Sequence, residues 1–331
     1  MARALRIGKG YAKRDKQGDQ TRYPINPDWR GNDQAAWLSS APVRLKELTG
    51  HSDRMTGMTL SELTEEIEAY RDHMWRREPE SRVEDVHAAE QLIESVGFCA
   101  AMTDSRRPGP SLFIAVCGRR DAHMPRNVQK DPESSLTWVL KDEVMRRGRI
   151  YYGKLARGRS TFVARRLVPY FNALWGVPRG KEGNLLSPSA RAILKILRTE
   201  WEMATRDLQK ASRITERAIF LRALDELQRA FKVIPADVMY KPTFTYIWTL
   251  AESRFQEELA ISVNREVSLR EVARAFLAGA GMTVRGELAK VTGLSAPEAG
   301  LGNWGLVDEG FAIRLAPGVY QLKEFNQPQK Y

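Results

Sequence analysis

Three times in 331 residues the sequence runs through helices into two apolar stretches joined by a turn. The middle copy is the clearest. SPSARAILKILRTEW (187–201) opens with Ser187 and Pro188 in the cap and first helical positions and sets Ile193, Leu194 and Leu197 on one side. The short MATRDLQKAS and the longer TERAIFLRALDELQRAF follow, then the strand KVIPADV, a turn at Tyr240-Lys241-Pro242 and the strand FTYIWTL. In the last copy, 268–325, SLREVARAFLAGAG and TVRGELAKVTG read as helices and SAPEAGLGNWG as a short third element, before two strands around Pro317-Gly318. In the first, MTLSELTEEIEAYRDHMWRR predicts a helix of about sixteen residues capped by Thr59 or Ser61, and SRVEDVHAAEQLIESV predicts a second. FCAAM and SLFIAV then read as strands on either side of TDSRRPGP. Three such matches in one chain support one another, since a bundle of unrelated helices would not repeatedly end in hairpins of this length.

Helix, short helix, long helix, hairpin is winged-helix order. The expected fold is therefore α+β and mainly helical: tandem winged-helix units forming a curved DNA-binding protein. The expected divisions are a basic arm with a turn-rich segment at 1–54 and units at 55–181, 182–256 and 262–326. Apolar residues make up 43% of the chain, enough for a sizeable core. No apolar run approaches the length of a membrane span, and MARALRIGKGYAKRDKQGD lacks the apolar stretch of a signal peptide. The expectation is a cytoplasmic, nucleoid-associated monomer with no membrane partner. Two cysteines and four scattered histidines show no ligand spacing, so neither metal nor cofactor is expected.

The net charge of +11 is concentrated in two short pieces. Residues 1–30 hold 8 Lys or Arg against 3 Asp, and 141–181 hold 11 against 2 acidic residues. Within the second piece, MRRGRIYYGKLARGRSTFVARR (145–166) carries 8 cations and no carboxylate. A solvated helix face interleaves both signs, so this run points to a polyanion, double-stranded DNA above all. IYYGKL and STFVA read as strands joined by ARGR. That tip would carry Arg157 and Arg159 together into a minor groove, with Lys154, Arg165 and Arg166 on phosphates and one or both of Tyr151 and Tyr152 in the core. Lys13 and Arg14 of the arm, Arg106 and Arg107 of the TDSRRPGP turn, and Lys241 are further expected DNA contacts. So are Arg213 and Arg217, with Lys210 and Thr215, at the start of the second unit's long helix.

VGFCAAMTDSRRPGPSLFIAV, WVLKDEVMRRGRIYYGKLARGRSTFV and LSPSARAILKILRTEWEMATRDLQKA with its hairpin resemble the bacterial winged-helix DNA glycosylase family typified by AlkZ, over roughly residues 55–325. The resemblance implies three units curved around a duplex and hydrolysis of the N-glycosidic bond of a modified base, whether alkylated, crosslinked or bulky and hypermodified. Such an activity leaves an abasic site and serves DNA repair or defence against modified foreign DNA. It also implies a Gln-x-Gln or Gln-x-Asp triplet on the strand after the first helix pair. Here those two positions are Ala100 and Met102.

Cleavage passes through a cationic sugar, so a carboxylate or amide must stand in for the missing triplet. The candidates are Asp104, Asp33 with Asn32, and Asp142 or Glu143 in WVLKDE. Asp33 is flanked by Trp29 and Trp37, which suit base stacking. Asp33 and Asp104 fit turn or cap roles as well, and Gln129-Lys130-Asp131, a literal Gln-x-Asp, reads as a polar loop. The rival reading is a non-catalytic winged-helix DNA binder, transcriptional or architectural; an RNA-binding accessory protein is a third.

Overall fold

A helix of eleven residues, Glu65–Trp75 (α1), is the first element among the described residues, and every element below lies in the compact unit spanning Leu45–Tyr331. The computed structural model describes residues 63–326. Thr64 caps α1 by accepting the Ile67 N–H at 3.4 Å; Thr59 and Ser61 lie outside the described residues. Next come α2 (Val86–Val96), β1 (Phe98–Ala100), α3 (Leu112–Cys117), α4 (Pro132–Arg147), β2 (Tyr151–Lys154) and β3 (Ser160–Val163). After the connecting helix α5 (Val168–Trp175), the second set is α6 (Pro188–Glu200), β4 (Glu202–Ala204), α7 (Thr205–Ala211), α8 (Arg217–Arg229), β5 (Val233–Met239) and β6 (Thr245–Leu250). The third is α9 (Arg265–Ala280), β7 (Met282–Thr283), α10 (Glu287–Thr292), α11 (Ala296–Asp308), β8 (Ala312–Ala316) and β9 (Val319–Leu322).

All three sets share one order, helix, strand, short helix, helix, hairpin, and one antiparallel sheet topology: β1-β3-β2, β4-β6-β5 and β7-β9-β8. The last strand is central in each, so the short first strand closes the hairpin on the helices. In the first sheet Phe162 stands opposite both Cys99 and Tyr152.

The structure corrects the first copy. SLFIAV is the helix α3, with all of Leu112–Cys117 buried and Gly118 ending it at φ 60°. A six-residue run apolar on every side has neither period, and burial on all faces suits a short core helix as well as a strand. The first copy therefore begins at α2, and α1 lies outside it. That helix packs on the third copy instead: Tyr70 donates to the Ala278 carbonyl at 2.5 Å, and buried Arg71 to the carbonyls of Ala280 and Met282 and to Glu287. Two short strands, β4 and β7, stand at the joins between helix-patterned segments, where two or three residues carry no strand period.

SAPEAGLGNWG, expected as a short element, is part of the thirteen-residue α11. Its start is a capping box in which Ser295 Oγ accepts the Glu298 N–H and Glu298 accepts the Ser295 N–H at 3.0 Å. The Arg265 guanidinium, followed by the Ser295 groups, holds the Glu298 carboxyl down to about 2 against an opposing effect of burial. Replacing Glu298 with Ala should cost about 1 kcal/mol at neutral pH. A depressed carboxylate stabilises above its unfolded value, so that difference should shrink as pH falls from 4.5 toward about 2; urea midpoints of wild type and variant across that window measure it.

The copies share a core. Phe98 of β1 lies between Phe171 of α5 and Phe276 of α9, with ring centroids at 5.3 and 6.4 Å. The hairpin β5–β6 packs on α4, where Lys141 and Asp142, 2% and 1% exposed, meet Tyr240 and Tyr246. One face of α4 is thus covered by the second copy's hairpin.

Candidate nucleic-acid interface

The β2–β3 connection is tight because its backbone closes on itself: Leu155 N–H donates to Arg159 O at 3.0 Å and Arg159 N–H to Ala156 O at 3.0 Å. Arg157, at the apex, takes the left-handed conformation, φ 51° and ψ 35°, which few non-glycine residues adopt. Gly158 follows at φ 74° with open space above it. The tip touches α8 of the second copy and α10 of the third. A Cβ built on Gly293, just past α10, would come within 3.5 Å of Ala156 Cα and Arg157 N, so tip and third copy are in close contact.

The two tip arginines are not equivalent. Arg157 is exposed and makes no hydrogen bond or ion pair among the described residues. Arg159 reaches across to the Lys290 carbonyl at 2.6 Å and turns back to the Ala156 carbonyl at 3.4 Å. Burial first, then the positive charges of Arg107 and Arg157, push its pKa down. Three guanidinium groups therefore stand close enough to repel, and none of them has a carboxylate partner among the described residues. Such a cluster is stable in water only as an exposed site and gains most from a polyanion. The two tip arginines thus differ in their contacts: Arg159 braces the tip on the third copy, and the Arg157 side chain has no partner among the described residues.

Three of the cations assigned to phosphates are paired within the fold. Lys154 bonds Asp225 of α8 at 2.9 Å, and its N–H donates to Gln228 at 3.0 Å. Burial lowers the Lys154 pKa and raises that of Asp225, each toward its neutral form, and the short contact favours reading them as a pair tying hairpin to α8. Arg165 pairs with Glu258, and Arg166 with Glu94 at 2.9 Å. Arg213, in a left-handed conformation before α8, and Arg217, at its first turn, are exposed, as is Lys241 in the turn of the second hairpin. Lys13, Arg14, Trp29, Asn32, Asp33 and Trp37 lie outside the described residues.

Asp104 is 6% exposed. Its oxygens accept the Arg106 side chain, at 2.9 Å from Nε to Oδ2, and the backbone N–H groups of Arg106 and Met124, at 3.3 and 3.1 Å. Burial would raise its pKa; Arg106 and the two N–H groups outweigh that and hold the carboxyl below its ordinary value. It is ionised at neutral pH and fully engaged, so facing a sugar requires the exposed Arg106 to swing away. Asp142 is enclosed with Lys141. Asp131 of the Gln-x-Asp triplet is the N-cap of α4, accepting the Ser134 N–H at 2.7 Å.

Ala100, the first triplet position, lines a cavity of about 20 Å³ with Thr103, Arg159, Thr161 and Val291. That volume holds about one water molecule and no base. Val291 and the Lys290 carbonyl could not have been placed here from sequence, because the contact joins residues about 130 positions apart.

The sequence matches the AlkZ-related family over residues 83–275, more than half of the chain. The chain belongs to that family. The match begins before α2 and ends within α9, so it takes in the first two copies, the tip and its arginines. Among solved structures the chain is similar to the Streptomyces sahachiroi DNA glycosylase AlkZ, at 14% identity and a TM-score of 0.48, covering 78% of this chain and 70% of that one. No curated protein matches it. Among the described residues no helix is long and apolar enough to cross a membrane.

Proposed function

We propose that this AlkZ-related protein is a monofunctional DNA glycosylase built of three winged-helix units, the first running from α2 through the β2–β3 hairpin and the others at 182–256 and 262–326, acting on double-stranded DNA. The observation that carries the reading is the group of Arg107, Arg157 and Arg159, without a carboxylate, at a hairpin tip held between the second and third units. A slender cationic tip enters a minor groove, where the negative potential favours arginine. Arg213, Arg217 and Lys241 would add contacts from the second unit, and Lys13 and Arg14 from the arm.

The reaction is hydrolysis of the N-glycosidic bond of an alkylated, crosslinked or bulky hypermodified base, in repair or in defence against modified foreign DNA. When the base is already cationic, stabilising the developing sugar cation is the main demand, and one carboxylate or amide suffices. Asp104, ionised beside Arg106, and Asp33 with Asn32 are the groups assigned to it, with Trp29 and Trp37 against the displaced base. Mass spectrometry of free bases released from alkylated, crosslinked and hypermodified duplexes tests the activity. Wild type should release base and leave abasic sites. The essential Asp changed to Asn should keep DNA affinity while release falls by about two orders of magnitude or more. A variant with both Asp33 and Asp104 changed that releases base at the wild-type rate puts the catalytic group elsewhere.

One observation favours a second reading. Ala100 and Met102 offer no polar group where the family triplet stands, and Asp104 is engaged by Arg106 and Met124. A wild-type protein that binds duplex but releases no base from any of these substrates is a non-catalytic winged-helix binder.

A further inference from the structure

Where the linker after α5 meets the segment joining β6 to α9, the surface holds a groove of about 400 Å³. That volume lies in the range of about 300–1,000 Å³ typical of ligand sites. Its accessible apolar wall is Val177, Leu259, Ile261 and Val263, with Ile261 52% exposed. None of the lining residues belongs to β1, the β2–β3 hairpin, α8, α10 or α11. The groove is therefore separate from the arginine tip and its surroundings.

Three of its four charged lining residues are cations. Arg179 is exposed and has no hydrogen bond or ion pair among the described residues through its side chain. Arg198 and Lys232 converge on one oxygen of buried Glu182, at 2.8 and 2.7 Å. Burial would raise the Glu182 pKa, but the two cations outweigh it and keep the carboxylate ionised. One carboxylate between two cations leaves a positive charge uncompensated, and Arg198 Nε is buried without a hydrogen-bond partner. Glu252, exposed, is the one carboxylate among the lining residues.

We propose that this groove is a docking site for an acidic peptide segment of a partner protein, with an apolar side chain against Val177, Leu259 and Ile261 and its carboxylates toward Arg179 and Arg198. Duplex DNA is too broad for an apolar-walled groove of this size. A nucleotide base would find no stacking face, since Phe231, the one aromatic in the lining, is 3% exposed. An extended peptide with one apolar anchor and flanking carboxylates matches both the wall and the rim.

The probe is a fluorescein-labelled peptide of five aspartates followed by leucine and phenylalanine, titrated with the full chain by anisotropy. Saturable binding is expected, weakened at least tenfold by Arg179→Glu and by Ile261→Asp. Both side chains are exposed, so the thermal midpoint should hold in each variant. The same peptide with asparagine for aspartate should bind at least tenfold more weakly, and a saturating short duplex should not displace the acidic one. Absence of saturation at millimolar protein, equal binding of the asparagine peptide, or wild-type affinity in both variants overturns the assignment. Displacement by duplex moves the peptide to the arginine tip and overturns it too, while leaving the DNA reading intact.

Discussion

Asp142→Ala is expected to destabilise the protein by about 3–5 kcal/mol, because it leaves a buried ammonium without its counterion. Lys141 Nζ lies 2.5 Å from Asp142 Oδ1 and 2.8 Å from Tyr246 Oη, and its charge stands 4.3 Å from the Trp138 ring centroid. Burial works to neutralise this lysine; the Asp142 charge, with the Tyr246 and Tyr152 oxygens, overcomes it and holds the pKa well above the ordinary value. Stability from a raised lysine is fully present below the unfolded value near 10.5 and is lost only as pH rises through the folded one, so the cost should be complete at neutral pH. Tyr240 Oη also donates to Asp142 at 2.5 Å, so the truncation breaks the contact of the second hairpin with α4 as well. Lys141→Met combined with Asp142→Leu should recover much of the loss, since apolar residues of similar volume replace a desolvated pair at little cost. Urea midpoints decide it. A loss under about 1 kcal/mol for Asp142→Ala would mean that water reaches this pair.

That contact shows where sequence reading stops. Helices with one apolar stripe were legible: Ser187 and Pro188 start α6 where the cap chemistry places them, and Ile193, Leu194 and Leu197 are buried along it. Hairpins were legible from their turns, including the one that carries Arg157. SLFIAV was not, because a segment buried on all sides has no period to read. WVLKDE was misleading for a related reason. Asp142 reads there as a candidate catalytic carboxylate, and only the aromatic hairpin about 100 residues later, brought over α4, encloses it with Lys141. Charge counting located the basic run but could not separate its members. Lys154, Arg165 and Arg166 meet Asp225, Glu258 and Glu94, all distant in sequence, and what remains near the tip without a carboxylate partner among the described residues is Arg107, Arg157 and Arg159.

Arg157→Ala should weaken duplex binding about tenfold at low salt with an unchanged thermal midpoint, since an exposed side chain without partners contributes little to stability. Wild-type affinity should fall on the order of 10³-fold between 50 and 200 mM salt if about six phosphates are contacted, and each lost contact lowers the log–log slope by about 0.9. Arg107→Ala with Arg157→Ala should therefore flatten the slope by close to 2, a readout that a merely misfolded fraction would not produce. Arg159→Ala should behave differently. Losing the bond to the Lys290 carbonyl detaches the tip from the third unit and costs about 1 kcal/mol, so both midpoint and affinity should drop. The contrast follows from geometry: two arginines two residues apart, one turned out by a left-handed backbone and one turned back onto α10. If Arg157→Ala binds with wild-type affinity and slope while Arg213→Ala and Arg217→Ala do not, the segment entering α8 is the DNA contact and the hairpin only braces the units around it.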